Sequence, residues 1–336
     1  MTGLLTPVEP ESALDAETAG HWLEQFRGPA LLHLPGEDRS RCRALVTLLH
    51  GNESSGLEAI HGWLREDPAP PVTDLVLILA NVEAARSPPR FHHRQVPGER
   101  DLNRCFRPPW QDRPGRLARE ILETLIRLEP EAVLDVHNTS GASPPFTVST
   151  LDDGLHRALA GLLAEHLVIT DLRLGALMDV AGELFPVITL ECGGAGHPES
   201  RRVARHALEL LAGREGLLQS RPASGTPVLH YNPVRVELTA GTGLSYGTGP
   251  RGPLTLREDI ESLNLQRVEP GEVLGWQDEQ HPEMLIARDH RGRPVLHELL
   301  RLDRGVLSPA RPLRIFMATG REDIAAGDCL FYAAPC

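Results

Sequence analysis

The hydrophobic positions of this chain fall into short, near-continuous runs separated by longer amphipathic stretches. Runs at 29–34 (PALLHL), 44–50 (ALVTLLH), 74–80 (DLVLILA), 132–137 (AVLDVH) and 185–191 (FPVITLE) predict strands. Each is apolar on successive rather than alternate residues, as in strands covered on both faces. Between them Leu117, Ile121, Leu125 and Leu128 recur at helical spacing, and 154–166 and 199–218 behave similarly. Strand and helix in alternation predict an α/β fold, a mostly parallel or mixed central sheet flanked by helices. After about residue 220 the texture changes. SRPASGTP (220–227) reads as a linker, and short β-like runs at 227–238, 296–302 and 312–317 follow, separated by Gly/Pro turns. The pattern therefore predicts a large α/β domain over 1–219 and a small β domain over 220–336, a division that suits a chain of 336 residues.

Composition narrows the chemistry. Hydrophobic residues make up 41% and charged residues 24%, ordinary values for a globular chain. The formal net charge of −12 argues against a nucleic-acid or anionic-membrane footprint, so an anionic substrate has to be met by a local cluster of positive charge. All 34 basic residues are arginine, which excludes a Schiff-base lysine, a P-loop lysine and a Ser-Lys dyad. The five cysteines (Cys42, Cys105, Cys192, Cys329, Cys336) are scattered without a C-x-x-C pair and suggest neither a disulfide framework nor a thiolate metal site. The first residues carry no signal-peptide pattern, and the most apolar run, Leu75–Ala80, is too short to span a bilayer, so a reduced, cytoplasmic protein is expected.

Three predicted strands end in an ionisable residue: His50, His137 and Glu191. In open α/β sheets the ligand crevice lies beyond the carboxyl ends of the strands, where such residues converge. The first ending continues as His50-Gly51-Asn52-Glu53, and the glycine permits a turn that brings Glu53 back beside His50. A His and a Glu in one turn, completed by a distant second His, form a three-ligand zinc set that leaves a fourth position for water. Glu191 fits as the carboxylate that takes a proton from that water. The segment RQVPGERDLNRCF (94–106) adds Arg94, Arg100, Arg104 and Asn103, the local positive charge that the acidic chain needs.

HGNE at 50–53, Asn81 followed by RQVPGERDLNRCF at 94–106, DVHNTSG at 135–141 and ECGG at 191–194 occur in an order and at separations that resemble the succinylglutamate desuccinylase/aspartoacylase family, within the zinc carboxypeptidase superfamily. The resemblance covers roughly residues 40–200. It implies a zinc-carboxypeptidase-like catalytic domain, one Zn²⁺ held by His50, Glu53 and His137, and Glu191 as general base. Arg94 matches the arginine that polarises the scissile carbonyl. Asn103 and Arg104 match the pair that binds the substrate's α-carboxylate, and Asp101 resembles a carboxylate that orients a zinc histidine. The β domain would shape the mouth of the site. The chain departs from aspartoacylases just before Glu191, where AGELFPVITL (181–190) holds no arginine; Arg173 lies too far upstream to match. The resemblance therefore does not extend to aspartate specificity.

The reading that results is a hydrolase of a small, carboxylate-bearing N-acyl amino acid, with no nucleic-acid or membrane partner and with a homodimer compatible but not specified. A peptide-trimming metallocarboxypeptidase would share the same residues, and a catalytically silent binding relative would share the fold. Among nearby residues, Arg100 is expected at the surface, His61 to be structural, His92 and His93 to be solvated, and Cys192 to be a small buried hydrophobe. Asp135, on the same strand face as His137, is left open between orienting a ligand and bonding a turn.

Overall fold

The computed structural model describes residues 3–217, 226–280, 282–327 and 329–336; most of the expected linker at 220–227 lies outside them. The described chain forms two units. The first takes the chain up to Asn138, then Pro145–Ile169 and Arg173–Leu229, and the second takes Thr139–Pro144, Thr170–Leu172 and His230–Cys336.

The first unit holds all or part of strands β1 (Thr6–Pro7), β2 (Ala30–Leu34), β3 (Asp38–Thr47), β4 (Thr73–Leu79), β5 (Ala132–Thr139), β6 (Phe146–Ser149), β7 (His166–Ile169), β8 (Val187–Gly194) and β9 (Val228–Tyr231). Among the described residues they form a sheet in the order β1-β2-β4-β3-β5-β8-β6-β7-β9. Its centre is parallel, since β3 runs alongside both β4 and β5. Elsewhere among the described residues β2 is antiparallel to β4, and β6 to β8. The link from β2 to β3, Pro35–Glu37, is too short for a parallel crossover, so the chain turns back on itself. The sheet is thus mixed.

Helices α1 (Ala19–Glu24), α2 (Ser55–Leu64), α3 (Val82–Arg86), α4 (Arg113–Leu128), α5 (Gly154–Leu163) and α6 (Pro198–Gly213) cover it. Leu75, Leu77 and Leu79 of β4 join the apolar cluster with Trp22, Ile60 and Leu208, whereas Val76 and Ile78 join Leu117, Ile121 and Leu125 of α4. The same two-residue alternation sorts the polar residues. On β5, Leu134 and Val136 pack with the first cluster and Val133 with the second, so Asp135 and His137 fall on the α4 side. On β8, Ile188, Leu190 and Cys192 pack with the first cluster and Val187 with the second, which puts Glu191 on the same side as His137. Cys192 is a buried core residue on the opposite face, as its neighbour's role requires.

Several boundaries depart from the sequence reading. β3 stops at Thr47 rather than His50, β5 continues past His137 to Thr139, and β8 spans Val187–Gly194, so Glu191 lies inside a strand and not at its end. The helix expected at 154–166 stops at Leu163, because His166–Ile169 pairs with β6 as a strand. Its β-branched residues satisfy their backbone better in the sheet than in one more helical turn. The helix expected at 199–218 spans Pro198–Gly213.

The second unit contains β10 (Val234–Leu238), β11 (Leu244–Gly247), β12 (Leu254–Arg257), β13 (Arg267–Val268), β14 (Gly275–Gln277), β15 (Leu285–Ala287), β16 (Leu300–Asp303), β17 (Val306–Pro309), β18 (Leu313–Phe316) and β19 (Phe331–Pro335). They make two five-stranded sheets, β13-β18-β19-β10-β15 and β11-β12-β14-β17-β16. Val236, Ile315 and Phe331 from one and Leu254, Leu256 and Leu307 from the other share one apolar cluster. No helix among the described residues is long and apolar enough to cross a membrane.

Candidate metal centre

The site begins where β3 ends. Leu48 adopts a left-handed backbone (φ +56°), an uncommon conformation for a branched residue, and so swings the chain out of the strand. The following turn is closed by the Glu53 N–H donating to the His50 carbonyl at 3.2 Å. It is seated by the Gly51 N–H, which donates to the Arg94 carbonyl at 2.9 Å. A Cβ on Gly51 would lie 2.5 Å from the Ala85 backbone nitrogen, so only glycine lets the turn press against α3. Helix α2 starts directly afterwards, and its Ser55 N–H donates to Asn138 Oδ1 at 3.2 Å.

This turn brings Glu53 between two histidines. His50 Nδ1 lies 2.7 Å from Glu53 Oε1, and His137 Nδ1, from β5, lies 2.7 Å from Glu53 Oε2. The Asn138 N–H also donates to Glu53 Oε2, at 3.1 Å. One donor atom from each of His50, Glu53 and His137 lies within 4.8 Å of the others, and all three residues are buried. The far nitrogens each face a carboxylate: His50 Nε2 is 3.3 Å from Asp101 Oδ1, and His137 Nε2 is 3.1 Å from Asp135 Oδ1. A carboxylate beside the outer nitrogen of a histidine favours the tautomer that turns the inner nitrogen to a metal. Two imidazole nitrogens and one carboxylate, each backed in this way, fit a divalent cation of the zinc type.

The electrostatics agree with a charge-compensated cluster. Burial alone would raise the Glu53 carboxyl, but the charges and hydrogen bonds of His50 and His137 hold it well below its ordinary value. Burial opposes protonation of His137, yet Asp135 and Glu53 push that group well above the usual imidazole range. Burial also works against ionised Asp101; its hydrogen bond to His50 and the charges of His50, Arg94 and Arg104 outweigh it and hold the carboxyl low.

Glu191 is the exception in this cluster. Burial pushes its carboxyl up to about 7, His137 pulling it down and Glu53 pushing it further up. Its Oε2 is buried and has no hydrogen-bond partner among the described residues. A carboxylate poised near neutrality, its charge coupled to the metal-ligand cluster and with one oxygen uncommitted, has the attributes of a general base.

Asp101 joins the cluster to the arginine segment. Its Oδ2 accepts from Arg94 Nε at 3.0 Å, and its Oδ1 accepts the Asn103 N–H at 2.8 Å, capping the short 3₁₀ turn Leu102–Arg104. Asn103 Nδ2 lies 3.3 Å from His137 Nε2, and Arg104 Nη1 donates to the Asn103 carbonyl at 2.8 Å. Arg100 points away and pairs with Asp112 at the surface. His61 is buried in α2 facing the Ala16 carbonyl, and His93 faces the Pro88 carbonyl.

The structure therefore gathers His50, Glu53, His137, Glu191, Asp101, Asn103 and Arg94, places Arg104 beside them, and puts Asp135 Oδ1 3.1 Å from His137 Nε2. It adds Asn138, which the sequence reading passed over. The Asn138 side chain donates to Ser55 Oγ and to the Gly193 carbonyl, each at 2.8 Å, and ties α2 and the end of β8 to the strand that carries His137. Its only signal in the sequence is its place immediately after His137.

The match to known proteins covers the same ground. Residues 43–212, just over half of the chain, match the succinylglutamate desuccinylase/aspartoacylase catalytic domain. The fold is similar to that of a succinylglutamate desuccinylase/aspartoacylase from Rhodobacter sphaeroides, at 18% identity and a TM-score of 0.55, over 87% of this chain and 84% of that one. It is also similar to murine aminoacylase 3, at 16% identity and a TM-score of 0.55, over 89% of this chain and 96% of that one. A third similar structure is the product-bound ectoine utilization protein EutE (DoeB) from Ruegeria pomeroyi, at 17% identity and a TM-score of 0.55, over 91% of this chain and 88% of that one. No curated protein matches the chain. The chain belongs to the succinylglutamate desuccinylase/aspartoacylase family.

Proposed function

We propose that this protein is a zinc-dependent deacylase that hydrolyses the amide bond of a small N-acyl amino acid. Family members are deacylating hydrolases, which supports an enzyme acting on amides. The observation that carries the reading is the arrangement around Glu53: two inner histidine nitrogens on one carboxylate, two outer nitrogens on Asp101 and Asp135. Nothing in a purely structural polar cluster requires both histidines to be backed in this way.

His50, Glu53 and His137 would hold one zinc ion, which supplies Lewis acidity and brings the pKa of a water toward neutrality. Glu191 takes the proton from the attacking water. It then returns that proton to the departing amine. Arg94, held by Asp101, presents positive charge to the acyl carbonyl oxygen as the tetrahedral centre forms. Asn103 and Arg104 bind the carboxylate of the substrate, adding local donors in a chain of net charge −12.

A panel of N-acyl amino acids, N-acyl amino acid amides and short peptides with free C-termini tests this reading on the zinc-loaded protein. Turnover confined to N-acyl amino acids with a free carboxylate, and abolished in Glu191→Gln, is the predicted outcome. Steady trimming of the peptides, or activity that survives Glu191→Gln, would contradict it.

A further inference from the structure

Asn103 can serve an anion only if its amide is turned the right way, since one end donates and the other accepts. The structure fixes that choice from outside the metal cluster. The Leu177 N–H donates to Asn103 Oδ1 at 3.0 Å, so the carbonyl end is taken by backbone and the NH₂ end is left toward His137. Leu177 opens a short 3₁₀ turn, Leu177–Val180, and the approach to that turn is folded around Asp179. Asp179 Oδ2 accepts both the Gly175 N–H at 2.7 Å and the Ala176 N–H at 3.2 Å, and the side chain is buried.

The same turn is docked along the Asn103 segment at three more points. The Phe106 N–H donates to the Gly175 carbonyl at 2.9 Å, and Arg107 Nη2 donates to the Asp179 carbonyl at 2.7 Å. Gly175, at φ +80°, lies so close to Arg104 that a Cβ would meet its carbonyl oxygen at 2.6 Å. None of these contacts involves a metal ligand. Their common effect is to hold one backbone N–H against one side-chain oxygen.

We propose that Asp179 is a positioning residue for Asn103: the turn it closes at Gly175–Leu177 holds the Asn103 carbonyl on backbone and leaves its NH₂, beside His137 Nε2, as the end that a bound group can meet, which favours acceptor groups such as a carboxylate. An amide free to flip would also present its carbonyl, which repels the same group. The requirement is for an acceptor at position 179, not for its charge, because the two bonds it makes are to neutral backbone N–H groups. The carboxylate preference rests on the deacylase reading above, whereas the amide orientation does not.

The test reads the two separately. In ¹⁵N-labelled protein the Asn103 side-chain NH₂ signal, assigned by its loss in Asn103→Ala, is one well-resolved, slowly rotating pair in the wild type. Asp179→Ala broadens or splits it, and Asp179→Asn, which keeps an acceptor, leaves it in place. Leu177→Pro removes the donor alone; the preceding Ala176 sits at φ −75°, ψ 162°, a conformation that proline accepts in its neighbour. It gives the same result as Asp179→Ala and serves if that variant does not fold.

In zinc-loaded enzyme, Asp179→Ala raises KM for an N-acyl amino acid by about tenfold with kcat little changed, the pattern of lost uniform binding. The rise is absent in an Asn103→Ala background and is reversed in Asp179→Asn. An Asn103 signal and a KM both indifferent to Asp179→Ala and Leu177→Pro would overturn the proposal, as would an Asp179→Asn variant as impaired as Asp179→Ala. A signal that moves as described in a protein that turns over no N-acyl amino acid upholds the positioning and removes the deacylase reading instead.

Discussion

Glu191 and Glu53 lie in one buried cluster and are driven in opposite directions. Glu53 has histidines on both oxygens and stays ionised, while Glu191 has a bare buried oxygen and a carboxyl raised to about 7. Its folded-state pKa therefore lies above the roughly 4.3 of a free glutamate. Linkage then gives the sign: Glu191 contributes stability below the unfolded value, and that contribution is lost as pH rises through about 7. In the metal-free protein Glu191→Gln, which cannot ionise, gains stability relative to the wild type between about pH 4 and pH 7, and the gap then stays constant. Thermal unfolding of both proteins across that range measures it; a gap that shrinks with rising pH contradicts the assignment. In loaded enzyme the same substitution lowers turnover by about a hundred- to ten-thousandfold while metal content is kept, as for loss of a general base. Replacing Asp135 or Asp101 with alanine weakens zinc affinity by about ten- to a hundredfold, readable by competition with a chelator.

At the scale of elements, what was legible depended on how much of a residue's placement is local. The runs around Leu75 and Leu134 announce buried strands because both faces of the sheet are covered, and α4 announces itself by Leu117, Ile121 and Leu125. The cluster of His50, Glu53 and His137, which could hold a metal ion, was legible because HGNE confines two of its members to one turn and His137 follows a buried run. What the sequence could not show is where β3 stops. Leu48 carries no glycine-like signal for its left-handed backbone, and the turn is fixed instead by Gly51 against α3 and the Arg94 carbonyl. The loop at 175–180 was silent for the same reason, since its geometry comes from long-range bonds to Asn103, Phe106 and Arg107. Gly51→Ala tests this directly. The added methyl has no space and must displace the turn, a strain of about 1–3 kcal/mol. The expected result is lowered thermal stability together with weakened metal binding; a variant that folds and binds zinc like the wild type would contradict the role given to the turn.

For the whole molecule, the fold class was readable from alternation of strands and helices, but the mixed direction of the sheet was not. That direction depends on a three-residue link at Pro35–Glu37 and on the strand pairing of β6 with β8, neither of which hydrophobic periodicity encodes. Family membership ties the catalytic-domain region to amide chemistry, while the metal centre is what would make that chemistry run. The most direct measurement is therefore metal content by elemental analysis of purified wild type and His137→Ala, with thermal unfolding before and after chelation. About one zinc per wild-type chain is expected, little or none in His137→Ala, and a melting temperature that falls on chelation, since a ligand bound only to the folded state at a hundredfold its Kd stabilises it by about 2.7 kcal/mol. A wild-type protein that stays metal-free after zinc is supplied, and melts unchanged in chelator, would contradict a zinc site at His50, Glu53 and His137.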